Sequence, residues 1–168
     1  SGNRLEKLPK EIWALRNLKR LDLSRNLFES ISSEIGELKN LRTLYLSDNQ
    51  LESLPPEIGK LVKLERIFLV GNKIASLPDE FTNLVNLVAL GLRDNHLEYL
   101  PSDIGKFSRL TRLVLPGNQP IELPPTIGNL KKIVEIDLSG NQIHELPDEI
   151  GKLTDLTRLV VPGNKLRK

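Results

Sequence analysis

The chain has 168 residues, 39% of them apolar and 27% charged, which is the composition of a folded globular or short repeat protein. With 24 basic against 22 acidic residues the net charge is +2, too balanced to point to nucleic acid or an anionic membrane. There is no Cys, which excludes a disulfide framework, a zinc-thiolate site and a cysteine nucleophile. No apolar run approaches the ~18 residues needed to span a bilayer.

The N-terminal segment SGNRLEKLPKEI parallels SGNQIHELPDEI at 139–150, so the chain opens partway through a repeating unit. It has no apolar core of a signal peptide, and without an initiator Met the chain is expected to be a fragment of a longer array or one trimmed to repeat boundaries. Aligned on Asn, seven units follow at a spacing of 23: LKRLDLSRN (18–26), LRTLYLSDN (41–49), LERIFLVGN (64–72), LVALGLRDN (87–95), LTRLVLPGN (110–118), IVEIDLSGN (133–141) and LTRLVVPGN (156–164). Period-two alternation, as in Leu44-Tyr45-Leu46, predicts a strand of about three residues in each unit. Parallel strands need a crossover, and the remainder of each repeat supplies it.

Within each crossover, Leu54, Leu77, Leu100, Leu123 and Leu146 are each followed by Pro, which suits a turn leaving the inner layer. Next come Ile12, Ile35, Ile58, Phe81, Ile104, Ile127 and Ile150. Three residues later stand Leu15, Leu38, Leu61, Leu84, Phe107, Leu130 and Leu153. That spacing predicts one buried face of a short helical turn, with all fourteen residues in the core. Asn3, Asn26, Asn49, Asn72, Asn95, Asn118, Asn141 and Asn164 share one repeat position. An amide both donates and accepts, so a stacked Asn ladder can satisfy turn backbone in its own and the neighbouring repeat. Four positions depart from the pattern. Ser32 replaces Pro and Thr82 replaces Gly, both read as surface variation. Trp13 replaces Gly and is expected exposed near the first edge, or against something outside the chain. Pro120 replaces an apolar residue, with local distortion expected and Ile121 turning inward to compensate.

The pattern L-x-x-L-x-L-x-x-N-x-L with the continuation L-P-x-E-I-G-x-L resembles the leucine-rich repeat family over essentially the whole chain. It is similar to the 23-residue class found in Ras-associated scaffolds, Roco proteins, plant relatives and bacterial proteins. The resemblance implies an α/β fold: a solenoid with a curved parallel β-sheet on the concave face and short helical turns on the convex face. Residues 1–168 then form a single domain of about seven repeats plus a partial N-terminal one.

No catalytic constellation emerges. His96 and His144 occupy different repeat positions, and Asp22-x-Ser24 and Asp137-x-Ser139 are variants of the strand unit about 24 Å apart along the sheet. Asp48 and Asp94 flank Gly71, too far apart to share one cation, and no phosphate-binding loop is present. The expectation is a non-catalytic protein with no metal and no cofactor.

What remains is recognition. The outward residues form three columns: Arg20, Thr43, Arg66, Ala89, Arg112, Glu135, Arg158; Asp22, Tyr45, Phe68, Gly91, Val114, Asp137, Val160; and Ser24, Ser47, Val70, Arg93, Pro116, Ser139, Pro162. Tyr45 and Phe68 are column neighbours with Val70 beside them, and Arg66 and Arg93 border them, with Arg112 further along the basic stripe. An aromatic pair flanked by Arg has the composition of an interface hot spot. The opposing reading is plain cross-strand packing. Val114/Pro116 and Val160/Pro162 make smaller apolar spots.

The expected function is therefore a protein–protein interaction module, within a larger signalling or scaffold protein of the cytoplasm. By family resemblance a small GTPase or phosphatase is the partner, with no nucleic acid and no membrane. The chain is expected to be a monomer or to associate weakly end to end. The alternatives are a substrate-recognition segment of a larger Roco-type or ligase enzyme and a secreted bacterial host-binding protein.

Overall fold

A computed structural model describes residues 3–119 and 121–167. Each of the seven units folds its central three residues into a strand: β1 (Arg20–Asp22), β2 (Thr43–Tyr45), β3 (Arg66–Phe68), β4 (Ala89–Gly91), β5 (Arg112–Val114), β6 (Glu135–Asp137) and β7 (Arg158–Val160). The strands pair in parallel and in chain order, each shifted by one repeat, as Arg20↔Thr43 and Thr43↔Arg66 show. This single sheet lines the concave face of the solenoid. The opposite face carries 3-10 helices of three to five residues, at Lys10–Ala14, Ser33–Glu37, Pro56–Lys60, Asp79–Asn83, Ile104–Lys106, Pro125–Asn129 and Asp148–Lys152. A 3-10 turn is tight enough to reverse the chain within one repeat. Pro9, Pro55, Pro78, Pro124 and Pro147 precede five of these helices with φ between −62 and −70°, the value the ring fixes. Where Ser32 replaces Pro, its hydroxyl accepts from Glu34 N–H at 3.3 Å and caps the helix instead.

The core is one continuous cluster running between sheet and helices through every repeat. The Asn ladder forms as the amide chemistry requires. Asn72 Nδ2 donates to Leu69 O at 2.9 Å and to Leu46 O of the preceding repeat at 3.0 Å, while its Oδ1 accepts from Leu51 N–H at 3.0 Å. Asn49, Asn95 and Asn118 repeat this set. Asn141 does not. The donor its Oδ1 would meet, 21 residues upstream, is at Pro120, whose nitrogen carries no hydrogen. Its Oδ1 accepts from Asn118 N–H instead (2.7 Å), and its fully buried Nδ2 finds no partner among the described residues. The distortion expected at Pro120 lies outside those residues, while Ile121 is buried as anticipated.

Three expectations from the sequence are corrected. Leu15 is 51% exposed and not core, and Ile12 and Ile150 are only partly buried. The side chain at the Leu15 position is sealed by the repeat on its N-terminal side, and Leu15 heads the stack. Leu153, in the last repeat, keeps that cover and stays buried. Trp13 is buried, at 6% exposure, because the direction of cover is reversed at its position. A Cβ on the equivalent Gly59 would lie 2.3 Å from Glu80 O in the following repeat, and one on Gly105 2.5 Å from Thr126 O. Trp13 therefore points into the second repeat and shares a cleft with Phe28 and Ile31. Thr82 is also buried, with its hydroxyl donating to Asp79 O at 2.8 Å. The helix of the next repeat is the short one, Ile104–Lys106. A cleft of about 440 Å³ opens between Thr82 and Ser102 on the convex face.

Candidate functional site

The pleat turns alternate residues of each strand away from the core, so Leu44 and Ile67 are fully buried while Tyr45 and Phe68 face out. Strand register aligns the first outward column from Arg20 to Arg158 and the second from Asp22 to Val160. The third column continues the ladder past the strand ends. Asp48 N–H donates to Val70 O at 2.7 Å, Gly71 N–H to Arg93 O and Asp94 N–H to Pro116 O, both at 2.9 Å.

Tyr45 and Phe68 stack with ring centroids 5.2 Å apart and planes 17° from parallel. Both rings are half-buried. The Arg20 guanidinium carbon lies 4.7 Å from the Tyr45 centroid. On the other side Phe68 leans over Gly91, where an added Cβ would be 3.2 Å from Phe68 Cδ1 and 3.9 Å from Val70 Cγ2. The missing side chain at Gly91 thus leaves room for Phe68, and the glycine itself is covered. Stacking contributes about 0.5–1.5 kcal/mol and an exposed cation–π contact about 0.5–1 kcal/mol. These contacts fix the ring orientations before any partner arrives.

The arginines of the face differ in their surroundings. Arg66, on β3 beside Phe68, reaches only Glu65 among the described residues, at 4.0 Å, and that carboxylate is already held by Arg42. Arg93 turns to its neighbour Asp94 at 3.1 Å. Arg112 lies on β5 and pairs with Glu135 at 2.9 Å; Arg158 grips the other oxygen of the same carboxylate at 2.9 Å. The structure therefore places Tyr45, Phe68, Val70 and Arg66 together, and sets Arg112 in a separate ionic group two strands away. Sequence reasoning omitted Arg20 from the site, although its column position beside Tyr45 is readable from the 23-residue register.

The Asp-x-Ser pairs act on local backbone. Asp137 Oδ1 accepts from Ser139 N–H at 3.0 Å and from its hydroxyl at 2.6 Å, and Asp22 Oδ1 accepts from Ser24 N–H at 3.1 Å. Asp48 and Asp94, with φ of 56° and 53°, occupy a left-handed turn position that Gly71 and Gly117 share. Gly enters this region without steric cost and Asp more readily than most other residues, which accounts for both residue types there. Among the described residues no group of three or more His, Asp or Glu converges as a metal site would require, and no helix is long and apolar enough to cross a membrane.

Comparison with known proteins agrees with this geometry. The leucine-rich repeat family matches residues 1–51 and 39–97, more than half of the chain, and again 132–153. No curated protein matches significantly. Among solved structures, a leucine-rich repeat protein of Leptospira interrogans is 30% identical over 98% of this chain, with a TM-score of 0.72. A TDR receptor is 32% identical over 95% of this chain, with a TM-score of 0.86. The chain spans 54% of the first and 29% of the second. The match across more than half its length, on a parallel sheet backed by 3-10 helices and stitched by an Asn ladder, establishes that this chain belongs to the leucine-rich repeat family.

Proposed function

We propose that the chain is a protein-binding module that engages its partner through the concave sheet, with Tyr45, Phe68 and Val70 as the apolar anchor and Arg66 and Arg93 at its margin. Arg112 contributes, if the partner reaches β5, from a group already neutralised by Glu135. The observation that carries this reading is the half-buried Tyr45–Phe68 stack, held by Arg20 and Gly91 with its outer surface open. Preorganised aromatic area lowers the entropic cost of association, which is why such residues dominate interface energetics. Leucine-rich repeat proteins generally serve as interaction modules, and one structural neighbour is described as a receptor. A cytoplasmic signalling or scaffold setting, with a small GTPase or phosphatase as partner, is what the resemblance to Ras-associated scaffolds adds.

A displayed peptide library selected against the intact chain tests the reading. Binders are expected to lose at least about tenfold in affinity against Phe68→Ala, equivalent to about 1.4 kcal/mol, and to be unaffected by Val62→Ala on the convex side. Binders that ignore Phe68→Ala and Tyr45→Ala but respond to convex substitutions would place the binding surface elsewhere.

A further inference from the structure

The first outward column carries Arg on every second strand, Arg20, Arg66, Arg112 and Arg158, with Thr43, Ala89 and Glu135 between them. On β5, β6 and β7, Arg112 and Arg158 stand two strands apart and close on the Glu135 carboxylate between them, each at 2.9 Å. On β1, β2 and β3, Arg20 and Arg66 stand in the same two-strand relation, but the middle position is Thr43. Its side chain is shorter than that of Glu135 and carries no charge. Arg20 has no carboxylate within 4.0 Å among those residues and rests on the Tyr45 ring, while Arg66 has only the shared Glu65 at that limit. Both arginines are exposed. The C-terminal half of the sheet thus carries its own counter-ion, and the N-terminal half lacks one directly above the aromatic stack.

We infer that the partner supplies it: the segment bound on this face carries an Asp or Glu whose carboxylate sits over Thr43 between Arg20 and Arg66, next to an apolar side chain that packs on Tyr45 and Phe68. The inference rests on the concave-face reading above and names the chemistry of its partner. Three features support it. The Arg112–Glu135–Arg158 group shows that two arginines at this spacing on this sheet accept one carboxylate in bidentate fashion. Thr43, between the two arginines, carries a small hydroxyl side chain and no carboxylate of its own. Arg20 is already held close by Tyr45, so little side-chain freedom is lost when it turns to an anion. A charge-assisted hydrogen bond to each guanidinium is about twice as strong as a neutral one, and the planar fork matches a carboxylate.

The test uses the selected peptide binders on the intact chain, measured against Thr43→Glu, Thr43→Gln and Arg66→Gln. Thr43→Glu copies Glu135 and fills the cradle from within. The inference expects Phe68-dependent binders to contain Asp or Glu beside an apolar residue. They should weaken at least about tenfold on Thr43→Glu and on Arg66→Gln, and no more than about threefold on Thr43→Gln. Replacing their acidic residue by the matching amide should reproduce the loss. Binders that need Phe68 but are indifferent to Thr43→Glu and Arg66→Gln overturn the inference and leave the concave-face reading intact. A selection yielding no Phe68-dependent binder overturns both.

Discussion

Asn141 shows how one residue type can do unequal work at equivalent positions. Asn72 holds two carbonyls and one N–H in adjacent repeats, all buried. Replacing it strands those groups at about 1–3 kcal/mol each before relaxation, so Asn72→Ala is expected to destabilise by about 3 kcal/mol. Among the described residues Asn141 makes one bond with its Oδ1 and none with its Nδ2, so Asn141→Ala is expected to cost about 1 kcal/mol or less. Equilibrium urea unfolding of both variants measures the difference; equal losses would mean that Asn141 finds the ladder contacts after all. The ladder itself was legible, because an amide recurring every 23 residues beside a turn has few other uses. Its break was written at Pro120 too, but as a missing donor and not as the missing apolar side chain that the repeat pattern draws attention to.

At the scale of the element, the Gly after the helix isoleucine is a packing requirement where another helix follows it closely, as at Gly59, Gly105 and Gly128. Gly59→Ala would put a methyl 2.3 Å from Glu80 O, against a backbone that has no flexible end to move. A cost of about 2 kcal/mol is expected, as for other overpacked sites. Gly151, in the last repeat, has nothing within 4 Å of the added carbon, and Gly151→Ala should be close to neutral. Thermal unfolding of the pair checks this, and a large loss at Gly151 would show that the close approach is not what selects glycine. The period revealed which residues of a short helix face inward, but not which repeat each side chain leans toward. That direction decides why Trp13 is buried and why Leu15 is exposed. It depends on helix orientation across the stack, which spacing along one chain does not encode.

Across the whole molecule, each repeat touches its neighbours and the sheet grows by one strand at a time, so equivalent residues form straight columns. Columns made the concave face readable in advance. Phe68 and Val70, inside the apolar run of LERIFLVGN, project outward while Ile67 and Leu69 are fully buried. The side-chain contacts on that face were not readable. Arg20 reaches diagonally to Tyr45 on the next strand, Arg112 and Arg158 share Glu135 on the strand between them, and Phe68 leans on Gly91, because a long side chain can turn along its own column as easily as across to the next.

The central claim is that partners are received on the N-terminal half of the concave sheet. Amide chemical-shift mapping of the chain with a selected peptide bound tests it most directly. The account predicts perturbations concentrated in residues 20–24, 43–47, 66–70 and 89–93, with the convex segments 79–83 and 102–106 unchanged. Perturbations confined to those convex segments, around the cleft beside Thr82, would contradict it.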